Sequence, residues 1–313
     1  MRIGVRILPS ESWKVARHHW QLADQLGFHH AWTYDHVAWR ERLGQTWFAA
    51  VPTLAAAAET TRNIRLGTLV SSPNFRHPVP FAKEIVTLDD LSDGRFIVGL
   101  GAGSGGVDAQ VLANEPWSTA ERSERFHEFV ELTDRLLRTA STDYQGRYYG
   151  SAGTCIDPSG QARSRIPIAV AATGPKGMRT AARHADIWVT NGYSPKPGLI
   201  AQSVEPALVR HQITGLAQIC REENRDPLGL RRLVLLGQDR SVLESPEAFI
   251  TAVKQYEEAG ATDLVIPFPH DTPTARRDMK VLERIAIEAL PQFSAGSSSQ
   301  PRAGGGDPDQ RDD

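Results

Sequence analysis

The chain has 313 residues, is 40% hydrophobic and carries a formal charge of −2, which allows a large core in one domain or two. Four aspartates against two arginines in residues 294–313 account for that charge, so the body is neutral and lacks the basic face that a nucleic-acid or anionic-membrane partner requires. The longest apolar run, Ala49 to Ala58, is broken by Pro52 and Thr53 and is too short for a membrane helix, and M-R-I-G-V-R-I-L-P has no leader-like apolar segment, so a cytoplasmic protein is expected.

Strands are predicted at Arg2 to Leu8, His30 to Tyr34, Ile64 to Val70, Arg95 to Leu100, Pro167 to Ala172, Asp186 to Thr190, Arg231 to Leu236 and Thr262 to Pro267. Most are short continuous apolar runs, the pattern of strands covered on both faces. Helical segments separate them. Trp13, Ala16, Trp20, Ala23 and Leu26 recur at three- and four-residue spacing until Gly27 stops the helix. Similar stripes run through Leu208, Gln212, Leu216 and Ile219, and through Ile250, Val253 and Tyr256, and another helix starts at Pro78. Eight strand-helix units predict a (β/α)8 TIM barrel over residues 1–293, with a doubly wound sheet as the alternative. An insertion after the fourth strand, about residues 104–165, holds a charged helix around Glu121 to Arg138 and a small hairpin in T-D-Y-Q-G-R-Y-Y-G. Residues 294–313, rich in Gly, Ser, Pro and Asp, are expected to be a disordered tail.

In such a barrel, chemistry sits at the C-terminal ends of the strands. After the second strand, T-Y-D-H places Asp35 and His36 at the rim, where an aspartate can orient an imidazole that moves protons near neutral pH. The alternative is that Asp35 caps a turn and His36 fills space. After the third strand, L-V-S-S-P-N-F-R-H offers small residues that let a flat ring approach, and Arg76 for an anionic group, unless it is a solvated loop. Gly101, Gly103 and Gly106 satisfy G-x-G-x-x-G, but they follow the fourth strand rather than the first. They read as a floor for a planar ligand, not as a dinucleotide fingerprint. After the fifth strand, Thr173, Gly174 and Pro175 open a helix whose free N–H groups suit a phosphate, with Lys176, Arg179 and Arg183 at helical spacing behind them. Thr190, Asn191 and Gly192 end the sixth strand with neighbouring donors, and His270 follows the eighth. Cys155 and Cys220 have neither metal-ligand nor C-x-x-C spacing, the first strand lacks H-x-H, and no G-x-S-x-G elbow occurs, so no metal centre is expected.

Taken together, L-G-F-H-H-A-W-T-Y-D-H, A-A-E-T-T-R-N-I-R-L-G-T-L-V, H-P-V-P-F-A-K, L-D-D-L-S-D-G-R-F-I-V-G-L-G-A-G and I-P-I-A-V-A-A-T-G-P with A-A-R-H-A-D-I-W-V resemble the bacterial-luciferase-like flavin oxidoreductases. The D-H and P-N-F-R-H-P segments look most like the branch that uses the deazaflavin coenzyme F-420; FMN is the alternative cofactor. The resemblance implies hydride transfer between F-420 and a C=C, C=N or C=O bond of a small-molecule or natural-product substrate. The alternatives are an FMNH2/O2-dependent monooxygenase and a non-catalytic flavin-binding protein. It implies that Leu69 and Val70 form a bulge, often a non-proline cis peptide, behind the ring, with Ser71, Ala102 and Gly103 beside it. Thr173, Gly174, Pro175, Thr190, Asn191 and Gly192 would approach the phosphate, and Lys176 with Lys196 the acidic tail of the deazaflavin. Asp35 and His36 would lie at the reactive edge, with Trp39, Arg76, Ser104 and His270 toward substrate. Serine at 104 departs from the glutamate of the sugar-phosphate dehydrogenases of this branch, and Asn191, Gly192 and Tyr193 replace a more basic stretch. A homodimer and a reductase that supplies reduced cofactor are further expectations of the resemblance.

Overall fold

In the computed structural model, the described residues are 1–39, 42–103, 107–112, 115, 117–156, 165–192, 204–237, 239–270 and 274–294. The first half runs β1 (Arg2–Arg6), α1 (Trp13–Gln25), β2 (His30–Thr33), α2 (Ala50–Thr60), β3 (Arg65–Thr68), α3 (Pro78–Leu91), β4 (Phe96–Gly101), α4 (Val107–Val111) and α5 (Thr119–Arg138). A hairpin of β5 (Thr142–Gln145) and β6 (Gly150–Thr154) follows. The second half runs β7 (Ile168–Ala171), α6 (Pro175–His184), β8 (Ile187–Thr190), α7 (Pro206–Glu222), β9 (Arg231–Leu235), α8 (Pro246–Glu258), β10 (Asp263–Pro267), α9 (Ala275–Glu288) and α10 (Pro291–Ser294).

Eight parallel strands close into a barrel in the order β1, β10, β9, β8, β7, β4, β3, β2, the predicted TIM barrel. Strand alternation sorts the apolar side chains into two cores. Ile3, Val5, Leu66, Val98, Val170 and Ile266 face outward against Trp20, Leu54, Phe81 and Phe129 of the surrounding helices. Trp32, Leu69, Ile97, Ala169, Val189, Leu233 and Val265 fill the interior. Gly67 makes room for the largest of these: a Cβ there would lie 2.5 Å from the Trp32 ring.

Helix α1 buries Ala16, Trp20 and Ala23, and Gly27 at φ 79° ends it as its position predicts. In α7 the buried stripe runs through Val209 rather than Leu208. A larger difference concerns the insertion. Helix α5, assigned to it by the sequence, packs between α3 and α6 and takes the fourth helix's place in the ring. Buried Phe126, Phe129, Val130 and Leu136 form its inner face, a stripe masked in sequence by its many charged residues. The tail lies outside the described residues from residue 295 on.

At the N-terminal end of the barrel, Asp263 is fully buried. It accepts from Arg231 and from Thr262 Oγ1, with His30 Nε2 at 3.4 Å and Arg2 Nη1 at 3.5 Å. Burial alone pushes its carboxyl up, but His30 and Arg231 outweigh this and hold it far below the ordinary carboxylate range. No helix among the described residues is long and apolar enough to cross a membrane.

Candidate active site

The end of β2 separates Asp35 and His36 because successive residues of an extended segment point in opposite directions. His36 is oriented not by Asp35 but by Asp108 of α4, whose Oδ2 lies 2.8 Å from His36 Nδ1. Asp108 is 1% exposed, and its Oδ1 accepts from the backbone N–H groups of Val37 and Ala38 at 2.9 and 3.3 Å. Burial pushes the Asp108 carboxyl up, and the His36 contact with these two N–H groups outweighs it, so the net shift is downward. A carboxylate on Nδ1 makes that nitrogen the donor and leaves Nε2, which has no hydrogen bond to a described residue, to exchange a proton. The His36 side chain is 25% exposed, so that nitrogen sits at a partly open edge.

Asp35 is 3% exposed and turns toward the loop after β3. Its Oδ2 accepts from Ser71 Oγ and Arg76 Nε, both at 2.5 Å, and its Oδ1 from Arg76 Nη2 at 2.9 Å. Arg76 also donates to Glu84 at 2.7 Å and lies over the Phe81 ring at 4.7 Å. Burial pulls the Arg76 guanidinium down, and its two carboxylates raise it above its ordinary range. Arg76 is therefore not open to an anionic substrate; a carboxylate 41 positions away in the chain occupies its fork.

Between Asp35 and β4 the chain makes a flat wall. The Leu69–Val70 peptide is cis, the geometry implied by the resemblance. Ser71 then bridges to β4: its N–H donates to Gly99 O at 2.8 Å and its carbonyl accepts from Gly101 N at 2.9 Å. The β4 glycines serve this closeness. A Cβ on Gly101 would come within 2.3 Å of Val70 Cγ2, and one on Gly103, at φ 69°, within 2.5 Å of the Asn74 side chain. Ala102 between them is half-buried, while Ser104 and Gly106 lie outside the described residues.

Around the next two strand ends the predicted donors divide. Gly174 stands at the N-cap of α6 with Pro175 in the first turn, so the helix starts beside Thr173 with N–H groups that no side chain among the described residues caps. Lys176 is exposed next to them. Arg179 and Arg183 do not extend this site, because both turn to the end of α7, Arg179 donating to Glu222 and Glu223 and Arg183 to Glu223, each at 2.7 Å. Thr190 is 1% exposed and spends its hydroxyl internally, donating to Gln212 at 2.6 Å and accepting from Gly192 N at 3.0 Å. It shapes the turn that carries exposed Asn191. Tyr193 and Lys196 lie outside the described residues.

On the opposite side of the mouth, Tyr34 packs edge-on against His36 at 6.3 Å and Trp39 at 5.0 Å, and Trp39 meets Trp47 at 5.3 Å. Trp47 fixes this corner by donating to His36 O at 3.0 Å. Arg6 at the end of β1 donates to the Tyr34 hydroxyl at 2.8 Å. His270 is buried and donates through Nδ1 to Phe268 O at 2.9 Å, with its ring 5.6 Å from His19. Sequence reasoning missed Asp108 and Arg6. Asp108 carries no local signal, since its partner is 72 residues distant, whereas an arginine inside an apolar strand is itself a signal that the R-I-L-P ending contains a buried charge.

Known proteins resemble the chain in sequence and in fold. The luciferase-like monooxygenase family matches residues 1–205. The F420-dependent glucose-6-phosphate dehydrogenase of Intrasporangium calvum is 34% identical over a stretch covering 67% of this chain and 65% of its own length. The enzyme of that name from Beutenbergia cavernae is 29% identical over 88% of this chain and 91% of its own. The matched stretch thus falls just short of two thirds of the first relative and spans nearly all of the second. Among solved structures, an F420-dependent secondary alcohol dehydrogenase in complex with an F420-acetone adduct superposes with a TM-score of 0.76 at 17% identity, covering 92% of this chain and 99% of that one, a likeness of fold. On the match through residue 205 and on the barrel that bears it, the chain belongs to the luciferase-like monooxygenase family.

Proposed function

We propose that the protein is an oxidoreductase that passes a hydride between the deazaflavin coenzyme F-420 and a C=C, C=N or C=O bond of a small-molecule or natural-product substrate. The observation that carries this reading is the His36–Asp108 pair beside the Val70–Gly101 wall, in a chain whose relatives include F420-dependent dehydrogenases. When bound, the deazaflavin supplies or accepts the hydride. The residues fit it: Leu69, Val70, Ser71, Ala102 and Gly103 make a close-packed wall suited to a flat ring. The uncapped start of α6 at Thr173 and Gly174 suits its phosphate, and exposed Lys176 its acidic tail.

His36 has one task, set by its partner. Nδ1–H is held by Asp108, so Nε2 gives a proton to the atom left electron-rich by hydride addition, or takes one in the reverse direction. Asp108 keeps the ring in one orientation and stabilises the imidazolium. Trp39 and Tyr34 wall the substrate side. A homodimer and a partner reductase that renews the reduced cofactor belong to the same proposal.

Titrating the purified protein with F-420 and with FMN tests it. Saturable F-420 binding is expected, and His36→Ala is expected to keep that binding and lose turnover. Tight FMN binding with none of F-420 refutes the proposal and, if oxygen is consumed with FMNH2, makes the protein a monooxygenase.

A further inference from the structure

Among the described residues, Arg6 is the arginine buried almost completely. Arg76 and Arg231 are held by carboxylates, and Arg95 and Arg232 by backbone carbonyls. Arg6 is 3% exposed. Its Nη1 donates to the Tyr34 hydroxyl, and its guanidinium lies 5.0 Å from the centre of that ring. Nε is buried with no hydrogen-bond partner, and no carboxylate among the described residues pairs with this side chain. An arginine keeps its charge and offers five donors. Leaving Nε of such a fork enclosed without an acceptor is unfavourable, and an anion joining it removes the penalty.

Its position gives that anion a place. Arg6 ends β1, and its partner Tyr34 packs with the side chains of the barrel interior, so the guanidinium lies at the working end. In the closed strand order β1 stands across the barrel from β4 and β7, the strands that carry the wall and the phosphate-binding helix start. The group Arg6 meets is therefore on the substrate side. One Tyr34 ring touches both Arg6, at 5.0 Å, and His36, at 6.3 Å between ring centres. A single ring's breadth thus separates the cation from the proton donor.

We infer that Arg6, supported by Tyr34, is the receptor for a substrate carboxylate, and that the substrates are short acids whose reducible bond adjoins that carboxylate. This rests on the proposed function. A monoanionic carboxylate matches the single charge and the planar fork; a phosphate dianion leaves one charge over. For a 2-oxo acid, the hydride from the reduced deazaflavin bonds to C2, the C=O π pair moves to oxygen, and His36 Nε2 gives that oxygen a proton. The products are a 2-hydroxy acid and oxidised deazaflavin. For a 2,3-unsaturated acid the hydride bonds to C3 and the proton to C2.

Calorimetric titration with pyruvate, its neutral amide and inorganic phosphate tests the receptor, with F-420 affinity measured separately. Wild-type protein is expected to bind pyruvate at least roughly tenfold more tightly than pyruvamide, the scale of one charge-assisted hydrogen-bonded contact, and more tightly than phosphate. Arg6→Met is expected to abolish the preference and leave F-420 affinity unchanged. Equal wild-type affinity for pyruvate and its amide overturns the inference, as does tighter phosphate binding or a preference that survives in Arg6→Met. If Arg6→Met does not fold, the wild-type comparison still decides, and Tyr34→Phe is expected to weaken pyruvate binding by freeing Nη1 from its hydroxyl. Loss of the carboxylate preference with intact F-420 binding removes this inference alone; an Arg6-dependent preference without F-420 binding removes the proposed function alone.

Discussion

Replacing Asp35 by asparagine separates a structural aspartate from a catalytic one. The wild-type carboxylate is 3% exposed and takes three hydrogen bonds, two from Arg76 and one from Ser71. Breaking a buried ion pair from one side costs about 3–5 kcal/mol, because the remaining charge stays enclosed. Arg76 keeps Glu84 at 2.7 Å, and that carboxylate is 41% exposed, so the lower end applies, about 3 kcal/mol. In a barrel of this size that lowers Tm by roughly 5 °C. Urea unfolding and thermal melts measure the loss. Removing both partners, in Asp35→Asn with Arg76→Met, should recover part of it, since no charge is then stranded. F-420 affinity should fall in the single variant, because Ser71 is the tie between the Val70 wall and β4. An Asp35→Asn protein with wild-type stability and cofactor affinity but no hydride transfer would refute this reasoning and return Asp35 to the chemistry.

Asp108→Asn should leave F-420 binding intact and lower kcat roughly 10- to 100-fold, the worth of one charge-assisted hydrogen bond to the imidazolium; an unchanged kcat in steady-state turnover would count against His36 as the proton donor. At the other end of the barrel, burial, with the charges of His30 and Arg231, pushes the His29 imidazole down to about 3. The unfolded chain, with an ordinary imidazole near 6.5, therefore binds a proton that the folded chain does not between those values. Stability contributed by neutral His29 is present above about pH 6.5 and falls with pH by at most about 1.4 kcal/mol per unit. His29→Gln should flatten urea-measured stability between pH 6 and pH 4, and a slope equal to wild type would show that His29 is protonated in the folded state.

Much of the barrel was legible because strand and helix periodicity is local. All eight predicted strands occur, their ends differing from the prediction by at most two residues. Gly27, the helix starting at Pro78 and the uncapped start of α6 at Gly174 followed from single residues whose backbone preferences act over one turn. The charged face of α5 hid its place in the ring, because a heavily charged helix still buries one stripe when it has neighbours on both sides.

Sequence alone determined the barrel and placed Asp35 and His36 just beyond the second strand, since these depend on pattern and on residues a few positions apart. Closure of the barrel decided the partners. It turned Asp35 to Arg76 instead of His36, brought Asp108 to His36 across 72 residues, directed Arg179 and Arg183 to α7, and left Arg6 enclosed with no acid among the described residues beside it. Charges pair by distance in space and by burial, and neither is written in the spacing of residues along one strand.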